Sequence, residues 1–347
     1  MAHNWLLYIA AFACAFAISL VTTPLAKRIS ELTGAIDYPK ARGMHKKPMP
    51  RMGGIAIVLG FMITVLLLCR FVDGLDMKQF VGLITGSLII VVLGIFDDIK
   101  NLPPKLKLSV QIIAALVVIF SGIRINVVLW PVTAYLQKLS APITLLWIIG
   151  VTNAVNLIDG LDGLAAGVSS IASLCLMVLC IITGSEVAVM LTAALAGACL
   201  GFLPRNFNPA ELFMGDTGAT FLGFVLAVTS ILGVFKGYAI LAVIVAMVSL
   251  GLPVFDTLFA MGRRIAHHKP IMQADRGHLH HRLIDKGFSQ RQAVVILYLI
   301  SLFCGLLAIF ISLRDLRVAA VVILTVVILS FLIYVFNYLN NKNNNDK

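Results

Sequence analysis

This sequence is poor in charge. Only 12% of its 347 residues are Asp, Glu, Lys or Arg, against 60% hydrophobic residues, and the mean hydropathy is +1.00. A water-soluble domain carries about a quarter charged residues, so a soluble globular fold is excluded. The six cysteines lie in or beside apolar runs at irregular intervals with no Cys-x-x-Cys spacing. They form neither a disulfide framework nor a thiolate metal site, and read as reduced packing residues. No Lys or Arg precedes the first apolar run, whereas Lys27 and Arg28 follow it, which fits an uncleaved first span with its N-terminus outside better than a signal peptide. Charge is also missing from the middle of the spans. There only Asn153 and Asn156 stand out, and ion- or proton-coupled transport, which generally needs intramembrane ionisable groups, is disfavoured. No internal repeat is present.

What the sequence has in plenty is apolar runs long enough to cross a bilayer. They fall at about 5–26, 53–69, 79–96, 108–123, 142–158, 164–183, 187–203, 217–235, 237–260, 293–313 and 318–339. The expected fold is therefore an all-α polytopic membrane protein of about eleven transmembrane helices. Residues 1–339 form a single membrane-embedded domain, followed by a disordered Asn/Lys tail over 340–347. With the N-terminus outside, the connections 27–52, 97–107, 159–163, 204–216 and 261–292 and the tail face the cytoplasm. They carry 20 of the 27 Lys and Arg, as the bias of basic residues toward the inside requires. The C-terminus is then inside. A net charge of +11 suits an anionic leaflet, a lipid phosphate and a nucleotide alike.

The scarce polar residues gather at the ends of these runs. Asp97 and Asp98 close the third. Asn153, Asn156, Asp159 and Asp162 recur every three residues across the end of the fifth, and Asp216 stands between Gly215 and Thr217 before the eighth. At about 100° per residue a period of three drifts around a helix, so one straight helix cannot turn all four to one side. The chain is expected to break at Gly160 and Gly163, exposing backbone groups that bind ions or phosphates. Mg²⁺ is usually held by one or two carboxylates plus substrate phosphates, so phosphoryl transfer at a membrane surface is the chemistry this pattern favours. Each cluster also has a plainer reading. Asp97-Asp98 could end a helix in water, the Asn run could be a polar helix contact with a glycine turn, Asp216 could be an N-cap, and Phe213 could be an interfacial anchor rather than a ring stacked on a base. His278, His280 and His281 lack a His-Glu-x-x-His pattern or a nearby cysteine, so zinc is not indicated. They suit a diphosphate or a solvated loop. His45 to Gly54 is basic, as a cytoplasmic loop should be, but its prolines and glycines make it stiffer than an anchor needs. The role of Asp256 is open.

Taken together, His45 to Gly54, Asp97-Asp98, Asn153 to Gly167, Phe213 to Gly223, Pro253 to Asp256 and His278 to His281 resemble the polyprenyl-phosphate N-acetylhexosamine-1-phosphate transferases, in order and over nearly the whole chain. The stretch His-Lys-Lys-Pro-Met-Pro-Arg-Met-Gly-Gly and the interrupted His-x-His-His are most similar to the branch that starts teichoic acid, enterobacterial common antigen or O-antigen synthesis. Leu279 and Arg51 argue against the peptidoglycan branch. One departure is Asn101, where members often carry a third acidic residue. The resemblance implies a cell-membrane enzyme with a cytoplasmic cleft that takes a UDP-sugar and Mg²⁺, with Mn²⁺ as a substitute, while undecaprenyl phosphate enters from the membrane lipid. It further implies Asp216 as the metal ligand, Asp97 as the group that engages or deprotonates the lipid phosphate, and Asp98, Asn156 and Asp159 as the rest of the polar catalytic site. Asn206 would steady the diphosphate, Lys46, Asp162 and Phe213 would hold the uridine, and His278, His280 and His281 would lie against phosphates or sugar. A homodimer is compatible with this reading, and nucleic acid is not an expected partner. The expected reaction moves N-acetylglucosamine-1-phosphate from UDP-N-acetylglucosamine to undecaprenyl phosphate and releases UMP. The alternatives are transfer of phospho-N-acetylmuramoyl-pentapeptide, a transporter of a nucleotide or lipid-linked sugar, and a non-catalytic scaffold.

Overall fold

The computed structural model describes residues 4–39, 47–125, 137–234, 250–266 and 279–313. In chain order the helices are α1 (Trp5–Thr33), α2 (Gly54–Leu68), α3 (Met77–Lys100), α4 (Pro104–Phe120), α5 (Ser140–Ile158), α6 (Leu164–Thr183), α7 (Glu186–Asn206), α8 (Gly215–Val234), α9 (Gly251–Ala266), α10 (Leu279–Asp285) and α11 (Gln290–Ser312). A two-residue antiparallel ladder, β1 (Ile36–Asp37) with β2 (Met49–Pro50), lies between α1 and α2. Among the described residues eight helices are long and apolar enough to cross a membrane: α1, α2 with the turn that follows it, α3, α5, α6, α7, α8 and α11. The protein is a multi-pass membrane protein. Of the eleven expected spans, 318–339 and the first part of 237–260 lie outside the described residues, as do the tail 340–347 and most of the outer connection 124–141.

The helices run further than the apolar runs that announce them. α1 continues past the expected end at 26 to Thr33, α3 ends at Lys100 and α4 begins at Pro104, so only residues 101–103 remain of the connection expected over 97–107. Helical hydrogen bonds are made within the segment and need no apolar side chain, so a helix carries its charged ends out of the hydrocarbon. Asp97, Asp98 and Lys107 therefore stand on helices rather than on a loop.

Lipid tails are as apolar as leucine, so membrane helices associate by close packing of small residues. Here α1 lies along α7, where a side chain at Gly197 or Gly201 would strike the carbonyls of Phe12 and Phe16, and Gly60 of α2 sits 2.8 Å from the Ala15 carbonyl by the same measure. The most enclosed helix is α8, which packs against α2, α3, α5, α6 and α7. Its start meets α2 at Gly54, where any side chain would collide with the Gly218 backbone.

The expected helix break is present. α5 ends at Ile158 with Asp159 as its cap, Gly163 takes a left-handed conformation (φ 79°), and α6 starts at Leu164. The Tyr298 hydroxyl of α11 donates to the Gly163 carbonyl at 2.5 Å, so the last described helix holds this turn from behind. The stretch from β2 to α2 is fastened to the approach to α8. Phe213 N–H donates to Pro50 O (2.8 Å), Gly53 N–H to Phe213 O (2.9 Å) and Gly54 N–H to Met214 O (2.8 Å). These bonds occupy amides that a helix start leaves without intrahelical partners and lock two distant segments side by side.

Candidate active site

At one end of the bundle the end of α3, the end of α5, the turn 159–163 and the start of α8 converge on a cleft of about 840 Å³, with the start of α4 beside it at Asp216. Their polar side chains meet each other. The Lys107 ammonium pairs with Asp97 Oδ2 and lies 3.0 Å from Asp216 Oδ2. Asn156 Nδ2 donates to Asp216 Oδ1 at 2.7 Å, and the Leu102 amide donates to Asp97 Oδ1 at 2.7 Å. A step deeper, Asn153 Nδ2 donates to Gln111 Oε1 at 2.8 Å. The two amides of α4 and α5 thereby satisfy each other inside the membrane, where an unpaired polar group is costly.

Asp98 lines the cleft, but its oxygens are taken up by neighbouring donors. Its Oδ1 accepts from the Asp216 amide (2.9 Å) and Arg51 Nε (3.2 Å), and its Oδ2 accepts from the Thr217 amide (3.0 Å) and hydroxyl (2.6 Å). The helix-capping role that sequence allowed for Asp216 thus belongs to Asp98, across the chain, and the Asp216 side chain is left to face Lys107 and Asn156. Gly215 makes this possible with φ 72°. A side chain there would collide with the Arg51 carbonyl and lie 2.7 Å from both Asp98 oxygens. Gly215→Ala is therefore expected to destabilise the fold by about 1–3 kcal/mol, read as a lowered thermal unfolding midpoint in detergent, and to impair turnover with it.

Asp159 caps α5 at the cleft. Withdrawal from water, and then the negative charges of Asp216, Asp98 and Asp162, push its carboxyl up to about 8. Asp162 also lines the cleft and ties its far end together. Its Oδ2 accepts from Asn208 Nδ2 (2.9 Å) and the Ala210 amide (3.1 Å), while Asn208 Nδ2 also reaches Gln290 Oε1 of α11 at 2.9 Å. Asn206 is buried, and its Nδ2 holds the Leu212 carbonyl at 3.0 Å. Phe213 and His281 line the cleft as well. His280 falls within α10, and Asp256 of α9 accepts the Leu279 amide at 2.8 Å, which fastens the start of α10 to α9. Lys46 and His278 lie outside the described residues, although the neighbouring Lys47 lines the cleft.

The structure thus brings Asp97, Asn156, Asp159 and Asp216 to one locus and places Asp162, Asn206, Phe213 and His281 around the same cleft. Lys107, Gln111 and Gln290 have no mark in the sequence to single them out, and Thr217 and Asn208 stand only as neighbours of residues that do. Lys107 is one of several lysines on a basic segment, and only the turn at 101–103 reveals which of them faces back to Asp97. Every charged or amide oxygen turned to this locus is a hard donor. Among the described residues no three His, Cys, Asp or Glu form a closed metal cage, an arrangement that Mg²⁺ does not require when phosphates complete its shell.

The sequence profile described as glycosyl transferase family 4 matches residues 80–234, which span α3 to α8. The chain is 37% identical over 321 residues to a protein of Bacillus subtilis named a probable undecaprenyl-phosphate N-acetylglucosaminyl 1-phosphate transferase, covering 90% of this chain and 88% of that one. It is 34% identical to the decaprenyl-phosphate N-acetylglucosaminephosphotransferase of Mycolicibacterium smegmatis, over 77% of this chain and 72% of the relative. A phospho-N-acetylmuramoyl-pentapeptide-transferase of Prochlorococcus marinus matches at 29%, over 90% and 92%. Matching polar residues in order along the chain, their convergence in one cleft and this coverage have one reading: the chain belongs to glycosyl transferase family 4, the polyprenyl-phosphate N-acetylhexosamine-1-phosphate transferases.

Proposed function

We propose that the protein transfers N-acetylglucosamine-1-phosphate from UDP-N-acetylglucosamine to undecaprenyl phosphate, giving the lipid diphosphate sugar and UMP, as the first membrane step of a cell-envelope polysaccharide such as a teichoic acid or O-antigen. The observation that carries this reading is the meeting of Asp97, Lys107, Asn156 and Asp216 at the end of an otherwise apolar bundle. The names and coverage of the relatives support the sugar and the lipid class. The excess of basic residues on the same side supports a cytoplasmic cleft with the N-terminus outside.

The donor set fits a hard divalent cation. The oxygens are carboxylate and amide, and the crowding of Asp216, Asp98 and Asp162 around Asp159, which adds to burial in raising it, is a field such a cation relieves. Asp216, with Asn156 and Asp159 beside it, would hold Mg²⁺, which would neutralise charge on the donor diphosphate. Mn²⁺ would serve in its place. In the reaction an oxygen of the lipid phosphate attacks the sugar-bearing phosphorus, a new P–O bond forms, and the bond to the bridging oxygen breaks to release UMP. A phosphate monoester with second pKa about 6 is mostly dianionic at pH 7, so no strong base is required. Asp97 then serves to aim the Lys107 ammonium, and Lys107 meets the phosphate charge. Such positioning and neutralisation supply most of the rate in phosphoryl transfer. Asp162, Asn206, Phe213 and His281 shape the part of the cleft that takes the nucleotide and sugar, and Lys46, His278 and His280 would complete it. Direct displacement predicts no phospho-aspartate, and trapping a labelled phospho-enzyme without lipid acceptor would contradict it.

Purified protein given UDP-N-acetylglucosamine and undecaprenyl phosphate is expected to release UMP only when both the lipid and Mg²⁺ are present, and EDTA should abolish release. A folded protein that releases no UMP from any of a panel of UDP-sugars would sink the proposal. Release from the muramoyl-pentapeptide donor alone would move it to the peptidoglycan branch.

A further inference from the structure

The adjacent carboxylates of Asp97 and Asp98 have different environments. A carboxylate has about four lone-pair sites, and Asp98 has four donors on its two oxygens: the amides of Asp216 and Thr217, the Thr217 hydroxyl and Arg51 Nε. Its side chain is 0% exposed. Nothing on it remains to meet a substrate or a cation. Asp216 contrasts with it, with one donor on each oxygen, from Asn156 and Lys107, and 27% of its side chain open to the cleft.

We infer that Asp98 and Thr217 are positioning residues that act through Asp216, clamping the first turn of α8 so that the Asp216 carboxylate is aimed at the cation. The clamp has little slack. A side chain at Gly94 of α3 would collide with the Thr217 backbone, and one at Gly215 with the Arg51 carbonyl. Thr217 is fully buried, so its hydroxyl touches Asp98 without reaching the cleft. Hydrogen bonds to a charged acceptor in a dry site are strong and directional, and a small rotation of the 215–217 backbone would swing the Asp216 oxygens away from Asn156 and Lys107. The inference rests on the reading of Asp216 as the cation's ligand.

The test is the isosteric variant Thr217→Val beside Thr217→Ser. Binding of Mn²⁺ in the presence of UMP would be followed by the loss of the free-ion electron paramagnetic resonance signal, and the Mg²⁺ concentration that half-saturates UMP release would be measured in parallel. Thr217→Val is expected to weaken both by about tenfold, the size of one hydrogen bond to a charged group, with a smaller change in kcat at saturating Mg²⁺. Thr217→Ser is expected to restore both. Asp98→Asn, which keeps the volume but turns a donor toward other donors, should weaken Mn²⁺ binding further, and it serves if Thr217→Val fails to accumulate. Wild-type metal binding in both Thr217→Val and Asp98→Asn, or a Thr217→Ser variant no better than Thr217→Val, would overturn the inference while leaving Asp216 as ligand. A wild-type protein that binds no Mn²⁺ would overturn both.

Discussion

Lys107→Met is expected to lower kcat/KM for UMP release by about three orders of magnitude while the protein still inserts. Its ammonium pairs with Asp97 and lies 3.0 Å from Asp216, so it bridges the buried Asp97 carboxylate and the Asp216 carboxylate that lines the cleft. Removing one pre-aimed donor to developing charge costs roughly 10²–10³ in rate in a water-excluded site. Methionine also leaves Asp97, 2% exposed, without its counter-charge. The same change that removes a stabilising cation thus adds a repulsive anion where the proposed reaction would place phosphates. Lys107→Arg should recover only part of the loss, because a planar guanidinium does not replace a point charge held between two carboxylates. Thermal unfolding in detergent separates lost chemistry from lost fold. A folded Lys107→Met within threefold of wild type would remove Lys107 from the site.

Asp216→Asn is expected to be the most damaging of all, with UMP release at least about four orders of magnitude below wild type and no recovery at high Mg²⁺. An amide supplies one neutral oxygen where a hard cation takes anionic oxygen ligands. It would also turn a donor toward Asn156 Nδ2 or Lys107 Nζ, each now bonded to an Asp216 oxygen. The loss is therefore of charge and of geometry together, and added metal compensates neither. Recovery of more than a few percent of wild-type release by raising Mg²⁺ would show that the cation is held elsewhere.

The two Asp98 and Asp216 substitutions illustrate what could be read from the sequence and what could not. The carboxylates, Asn156, Asp159 and the glycines of the broken helix stand out because they interrupt apolar runs, and a polar group beside hydrocarbon needs a reason. Asp97 and Asp98 could not be told apart, since adjacent positions on a helix end point about 100° apart and nothing local says which direction faces the cleft. Lys107 lay hidden among lysines that topology alone accounts for. Gln111 carries no local mark either, because its partner Asn153 lies 42 positions away in the chain.

By itself the sequence determined the membrane-spanning helical character, the ends of the apolar runs where polar groups collect, and the break after Ile158. Each of these follows from hydropathy and backbone propensity within a few consecutive residues. Only the tertiary structure decided which of two neighbouring aspartates caps α8 and which pairs with Lys107, that Lys107 also reaches Asp216, and that Asp162 ties Asn208 and Ala210 to the end of the cleft. These contacts join residues 46 to 119 positions apart in the chain, apart from the adjacent helices that carry Asp97 and Lys107. Their partners are chosen by how the helices pack at glycines such as Gly54, Gly94 and Gly215, which no local pattern encodes.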